Sequence, residues 1–245
     1  MSQIIFFLVA YIAEVIGTSA GFGSSTIFLP LALFFVDFPT ALILVAIFHI
    51  FGNLGRITFF RKGIHKKLIL IFGVPSIVLT VIGAYMVPFI SQDILKLILG
   101  IFLIFFSILS IYKPDLRFPA TKKSSIMGGS ISGFLAGLIG TGGALRGAFL
   151  MAFNLQKATY IATAAVIALA VDITRIPIYL SEGFLNPDLY YYIPLLFIVS
   201  VAGSYTGKRI VNKIHQEKFK KFVLIVIILI SMKLIFDGII WLFSG

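Results

Sequence analysis

The sequence predicts an all-α integral membrane protein with about eight transmembrane segments in two inverted-topology repeats. Hydrophobic residues make up 60% of the 245 residues and the mean hydropathy is +1.10. In soluble domains only about half of the residues are apolar. The apolar residues form runs close to the about 20 residues that a helix needs to cross a bilayer. In addition, the chain matches itself at a fixed offset, which indicates an internal repeat.

The repeat relates positions that lie 119 residues apart, such as Asn53 and Asp172. The matches keep their order over about a hundred residues, and they include Gly140 on Gly21, Gly142 on Gly23, Thr159 on Thr40, Ala165 on Ala46 and Arg175 on Arg56. We therefore expect a first transmembrane repeat at residues 1–112, a linker at 113–123 and a second repeat at 124–245.

Each repeat opens with two short apolar pieces separated by glycines. The pieces are residues 3–17 and the run that ends at 36, then 124–139 and 145–156. At 1.5 Å per residue none of them reaches across the about 30 Å hydrocarbon core, which predicts a broken helix or a re-entrant pair. Longer apolar runs follow in each repeat and are predicted to be full spans, at 40–60, 68–89, 94–112, 158–180, 189–207 and 219–242.

The charge pattern predicts the orientation. The formal net charge is +11, but 14 of the 20 Lys and Arg residues lie within residues 61–67, 113–123 and 208–221. Basic loops beside membrane spans are cytoplasmic by the positive-inside rule, so nucleic acid is not an expected partner. The loop at 181–188 carries two acids and no base and is therefore expected outside. Its repeat mate near residue 63 is expected inside, so the repeats are inverted. The protein is predicted to lie in the cell membrane as a multi-pass protein. Both termini are predicted to be external.

The two glycine breaks are the predicted substrate site. Glycine lets the backbone approach a ligand closely, and a helix that starts after such a break presents free N–H groups and a positive dipole end to an anion. The alternative is that these glycines only permit close helix packing. The predicted substrate-binding residues are Gly21, Gly23, Ser24, Ser25, Thr26, Gly140, Thr141, Gly142, Gly143 and Arg146.

Arg146 lies within one turn of the second break. A free charge at that depth costs at least about 2.5 kcal/mol, and a planar guanidinium is well suited to bind an anion. The alternatives are a structural ion pair with Glu14 or Asp172 and a shallower position in the membrane.

Four further polar residues are related by the repeat and are candidates for gating or for charge balance. Arg56 and Arg175 are repeat mates, and Asn53 and Asp172 precede them by three residues on the same helical face. Asp172 and Arg175 could form an intrahelical ion pair. A structural role and a role in gating or substrate binding both fit this pattern.

Glu14 and His49 are the candidates for a coupling proton, because each is an ionisable group in an apolar segment. The alternatives are a salt bridge or exposure near the outer face for Glu14 and a hydrogen bond in the core for His49. The chain has no cysteine, no metal-ligand spacing and no nucleotide-binding motif. We therefore expect no enzymatic activity, no cofactor and no bound metal.

The glycine-rich stretch at 17–31 and its repeat at 137–150 resemble the TauE/SafE family of sulfite and organosulfonate exporters. The resemblance covers nearly the whole chain and implies a carrier for small sulfur-containing oxyanions. It matches the family's glycine-rich motifs to Gly21, Gly23, Pro30, Gly140, Gly142 and Gly143.

The sequence thus predicts a secondary transporter of a small anion, such as sulfite or an organosulfonate, that works by alternating access. The alternatives are an anion channel and a membrane scaffold or maturation subunit that transports nothing. The expected partners are the anion and the lipid bilayer. The oligomeric state stays open, with a homodimer among the candidates.

Overall fold

The computed structural model describes residues 2–20, 23–60, 63–114, 118–210 and 216–244. These residues form ten α-helical segments, two short 3₁₀-helices (Val87–Phe89 and Pro187–Leu189) and no strand. The first five are α1 (Ser2–Ala20), α2 (Ser25–Ala32), α3 (Phe38–Phe59), α4 and α5 (Gln92–Tyr112). Helix α4 starts at Lys66–Leu68, passes through a π-helical turn at Ile69–Gly73 and continues as Val74–Met86. The last five are α6 (Lys122–Ile139), α7 (Gly143–Met151), α8 (Lys157–Ser181), α9 (Tyr192–Ile210) and α10 (Gln216–Ser244).

Six helices in the described part of the chain are long and apolar enough to cross a membrane, namely α3, α4, α5, α8, α9 and α10. Helix α1 is a shorter apolar helix. The all-helical class and the membrane-spanning character predicted from the sequence are confirmed at this level. The total of eight transmembrane segments and the inverted sense of the repeats stay predictions.

The helices break at both glycine-rich stretches, as the sequence predicts. Gly140 ends α6 with φ +72°, and Gly23 has φ +85° just before α2. Both values lie in the left-handed region, where glycine meets no steric penalty. The helices that follow are short, with 8 residues in α2 and 9 in α7. Two short helices therefore start inside the protein rather than at its surface.

Helix α3 is the centre of the fold. In an apolar stretch of 18 residues, 78% of α3 is buried inside the protein, compared with 33% for α5 and for α10. It packs against α8 and α9, while α1 packs against α9, α4 against α6 and α5 against α10. Under the repeat offset α1 corresponds to α6 and α9 corresponds to α4. The contact between α1 and α9 therefore has a counterpart in the contact between α4 and α6.

Glycines allow α4 and α6 to approach closely. A methyl group at Gly129, Gly133 or Gly137 of α6 would lie 2.3, 2.1 or 2.2 Å from a carbonyl oxygen of α4. Hydroxyl groups of α4 use this proximity, because Ser76 Oγ donates to the Gly129 carbonyl and Thr80 Oγ1 to the Gly133 carbonyl, both at 3.0 Å. This is the small-residue packing that is typical of membrane helices. It shows that packing accounts for these glycines.

Gly133→Ala is expected to destabilise the protein by about 1–3 kcal/mol, because the methyl group overlaps the Ser76 carbonyl and the two helices must separate. The measurement is thermal unfolding in detergent. The matched control is Gly73→Ala, because the atoms nearest to a methyl group at Gly73 are 3.8 Å away. We expect the control to melt close to the wild type. Equal melting temperatures for the two variants would contradict this account of the interface.

Candidate functional site

The two glycine breaks meet in the interior. A methyl group at Gly23 would lie 3.6 Å from the Cα atom of Gly143, and the hydroxyl oxygens of Thr26 and Thr141 are 3.1 Å apart. Ser24, Ser25, Thr26 and Thr141 are each at most 2% exposed. Predicted substrate-binding residues from the two glycine breaks, Gly23 and Gly143 as well as Thr26 and Thr141, thus lie next to each other. Gly21 belongs to the same prediction and lies outside the described residues.

Helices α2 and α7 both start at this point. We call the meeting place of residues 23–26 and 141–143 the junction. The first backbone N–H groups of a helix have no acceptor within the helix, and they carry the positive end of the helix dipole. The start of α7 is fixed by Ser132, whose Oγ donates to the Gly142 carbonyl at 2.9 Å. Two positive helix ends therefore face the same small volume, an arrangement that suits an anion.

A cavity of about 30 Å³ lies beside the junction, between α1, α3, α7 and α8. This volume is enough for one or two water molecules. Its polar lining comes from Thr18, Asn53, Arg56, Arg146 and Tyr160. The cavity therefore joins side chains of both repeats next to the two helix starts.

Arg146 lines this cavity and is only 5% exposed. It forms no salt bridge with any residue that the structure describes. One of the alternatives for Arg146 was a structural ion pair with Glu14 or Asp172. Each of those carboxylates pairs with a different arginine. Arg146 is thus a buried cation whose partner is not a protein carboxylate of the described segments.

Glu14 forms a salt bridge with Arg56, with Oε1 2.6 Å from Nη2, and is 0% exposed. The same oxygen accepts hydrogen bonds from Thr18 Oγ1 at 3.1 Å and from Ser204 Oγ at 2.6 Å. The structure therefore places Glu14 in the salt bridge that the sequence left as an alternative to proton coupling.

Arg56 connects this pair to the junction. Its other hydrogen bonds are to Thr18 Oγ1, Asn53 Oδ1 and Ser24 Oγ, each at 3.0 Å. Because Ser24 is the N-cap residue of α2, Arg56 links α1, α3 and the start of the broken helix. A positioning role for Arg56 is therefore visible in the structure.

Asp172 is the corresponding centre in the second repeat. It accepts from Arg175 Nη2 at 2.8 Å and from Asn53 Nδ2 at 3.2 Å, and its Oδ2 is 2.8 Å from His49 Nδ1. The pair of Asp172 with Arg175 is the one that the i,i+3 spacing suggests. Arg175 also donates to the Ala136 carbonyl near the end of α6 at 2.7 Å. Asp172 therefore ties α3 and α8 together beneath the junction.

His49 is 3% exposed and its Nε2 atom has no hydrogen-bond partner among the described residues. A methyl group at Gly23 would lie 3.8 Å from this nitrogen. The ring is thus held by Asp172 on one side and directs its free nitrogen toward the junction.

Several residues of the site were missed by sequence reasoning. Tyr160 lines the cavity, Ser132 fixes the start of α7, and Ser204 and Thr18 complete the Glu14 pair. Hydroxyl residues of this kind also occur on many ordinary helix faces. No group of three or more His, Cys, Asp or Glu side chains that could hold a metal ion occurs in the described ranges.

Comparisons with known proteins identify the family of the chain. The family model described as Sulfite exporter TauE/SafE matches residues 6–234. A probable membrane transporter protein of Methanocaldococcus jannaschii is 28% identical to this chain, and the alignment covers 86% of this chain and 85% of that protein. No solved structure matches the chain. Because the family model spans nearly the whole chain, the protein belongs to the sulfite exporter TauE/SafE family.

Proposed function

We propose that this protein is a secondary transporter that carries a small anion, a sulfur oxyanion such as sulfite or an organosulfonate, across the cell membrane. The observation that carries the proposal is the buried guanidinium of Arg146, which lines a cavity beside two helix starts and has no carboxylate partner in the described residues. A buried charge of this kind is costly without a counter-ion. A bound anion supplies that counter-ion.

The charge count around the junction supports an anionic substrate. Arg56, Arg146 and Arg175 contribute three positive charges, and Glu14 and Asp172 contribute two negative charges. With a neutral His49 one positive charge is left uncompensated. Oxygen atoms of a sulfonate or sulfite group match the paired N–H groups of a guanidinium and the amides of a helix start.

The asymmetry of the junction supports a carrier rather than a channel. On one side the cavity reaches Arg146 and Tyr160. On the side related by the repeat, a methyl group at Gly140 would meet Leu42 at 2.5 Å and Leu29 at 2.9 Å, and both leucines are 0% exposed. The repeat mate of Arg146 is the apolar Ile27. One side is thus polar and open to a cavity while the other is packed with aliphatic groups, as expected for one state of an alternating-access cycle.

The correspondence between the α1–α9 contact and the α4–α6 contact supports an alternating-access cycle. Inverted repeats in secondary transporters bind substrate where broken helices meet near the midplane, and they exchange access by moving one part against the other. In this proposal residues 1–112 and 124–245 are the two repeats, the linker at 113–123 is cytoplasmic and both termini are external. An anion channel would share the binding chemistry, and single-channel currents in place of saturable flux would identify it.

The test of substrate binding is thermal unfolding of the purified protein with sulfite, sulfate, thiosulfate, taurine, phosphate or chloride at matched ionic strength. An anion present at 100 times its dissociation constant is expected to stabilise the wild type by about 2.7 kcal/mol. We expect a sulfur anion to do so, and Arg146→Ala to abolish the stabilisation. If no anion stabilises the wild type, the proposal fails and a scaffold without substrate becomes the better account.

A further inference from the structure

We propose that His49 is the proton carrier of this transporter and that a divalent sulfur oxyanion binds only together with a proton on His49 Nε2. The proposal rests on the proposed function, because it concerns the same junction, and it adds the coupling ion. It is carried by the position of the His49 ring between Asp172 and the junction. Glu14, the other candidate for proton coupling, is held in a salt bridge with Arg56.

The hydrogen bond to Asp172 fixes which nitrogen of His49 can change. A carboxylate accepts but does not donate, so the contact of 2.8 Å requires a proton on His49 Nδ1. In the neutral ring Nε2 then holds a lone pair. This atom is buried, has no partner in the described residues and lies near Gly23. A lone pair directed at the junction repels an anion, whereas a protonated Nε2 donates a hydrogen bond to it.

The charged groups around His49 set the stoichiometry. Asp172 on α8, Arg146 on α7 and Arg56 on α3 interact electrostatically with the imidazole ring of His49. Arg175 lies behind Asp172 and Glu14 lies behind Arg56, each as a salt-bridge partner. Helix α2, which starts beside the ring, carries no ionisable side chain. These five groups sum to one positive charge, so a neutral His49 suits a monoanion and a protonated His49 suits a dianion.

Proton and anion therefore move together. His49 takes a proton from water on the side to which the cavity opens, the dianion binds against Nε2–H, Arg146 and the two helix starts, and both leave on the other side. Because Asp172 belongs to α8 and His49 to α3, the pair also spans the two repeats. Binding of the dianion raises proton affinity, and by linkage protonation raises dianion affinity by the same factor.

The test uses anions whose own charge is constant over the pH range of the experiment. Sulfate and thiosulfate are the divalent probes and methanesulfonate is the monovalent probe. Where His49 of the free protein is neutral, the affinity for the divalent probes is expected to fall by about tenfold per pH unit. The affinity for methanesulfonate is expected to stay nearly constant. A pH-indicator dye should report the uptake of about one proton per bound divalent anion.

The matched variant is His49→Asn, whose amide can still donate to Asp172 but does not titrate. We expect this variant to bind the divalent probes weakly and with the same affinity at every pH. If the variant does not fold, the proton uptake of the wild type decides the question. A pH dependence that persists in a folded His49→Asn variant would overturn the assignment to His49.

The remaining outcomes separate this inference from the proposed function. Divalent anions that bind without pH dependence and without proton uptake overturn proton coupling but leave the anion site in place. The same conclusion follows if the monovalent probe methanesulfonate binds and neither divalent probe does. If no sulfur anion binds under any condition, the proposed function and this inference fail together.

Discussion

Replacing Glu14 with alanine is expected to lower the free energy of unfolding by about 3–5 kcal/mol, the cost of leaving a buried charge without its partner. Glu14 is 0% exposed and its Oε1 lies 2.6 Å from Arg56 Nη2. Without the carboxylate, the Arg56 guanidinium keeps only neutral acceptors from Thr18, Asn53 and Ser24. Ser204 Oγ also loses its hydrogen bond of 2.6 Å to Glu14 Oε1, which joins α9 to α1. The substitution therefore weakens the packing of α1 against α3 and against α9 at the same time.

Thermal and denaturant unfolding in detergent measure this loss. The control is Lys96→Ala, which removes the half-buried pair of Lys96 and Asp93 near the start of α5. The control is expected to cost less than about 1 kcal/mol. The double variant Glu14→Leu with Arg56→Met should be more stable than Glu14→Ala, because it leaves no unpaired charge in the interior. If Glu14→Ala is as stable as the Lys96→Ala control, the salt bridge does not hold α1 to α3.

Much of the fold follows from the sequence, because it rests on local features. The apolar runs predict the six long helices within a few residues, since burial in lipid requires continuous hydrophobic segments. The glycine breaks appear where the chain has Gly23 and Gly140, both in left-handed conformation. The π-helical turn at Ile69–Gly73 was not predicted. An apolar run of this kind gives no sign of which hydrogen-bond register its backbone will adopt.

In the candidate site, too, contacts within one helix could be predicted and contacts between helices could not. The pair Asp172–Arg175 could be predicted because its residues are three positions apart on one helix. The Glu14–Arg56 pair joins α1 to α3, and it depends on which helices touch. The lack of a salt bridge to Arg146 in the described segments likewise depends on both carboxylates being paired with other arginines. Interactions between helices carry no spacing signal in a single sequence.

Under the proposed function, Arg146→Ala is expected to reduce anion transport by about 100-fold at low anion concentration, because the substrate would lose the charge-assisted hydrogen bonds of the guanidinium. Arg146 is 5% exposed and lines the cavity at the junction. Arg146→Lys keeps the charge but not the planar pair of donors, so an intermediate loss of about tenfold is expected. Because Arg146 has no salt bridge within the described segments, neither substitution breaks an ion pair of the fold.

The most direct measurement is the flux of sulfite, thiosulfate and taurine into liposomes that contain the wild type, Arg146→Ala, Arg146→Lys or the control Arg209→Ala. The Arg209 side chain is exposed and packs on Tyr205, so this control removes an arginine outside the site. The account predicts saturable flux of at least one sulfur anion, unchanged in Arg209→Ala, weaker in Arg146→Lys and nearly absent in Arg146→Ala. Flux at the wild-type level in Arg146→Ala, or no flux of any sulfur anion by the wild type, would contradict it.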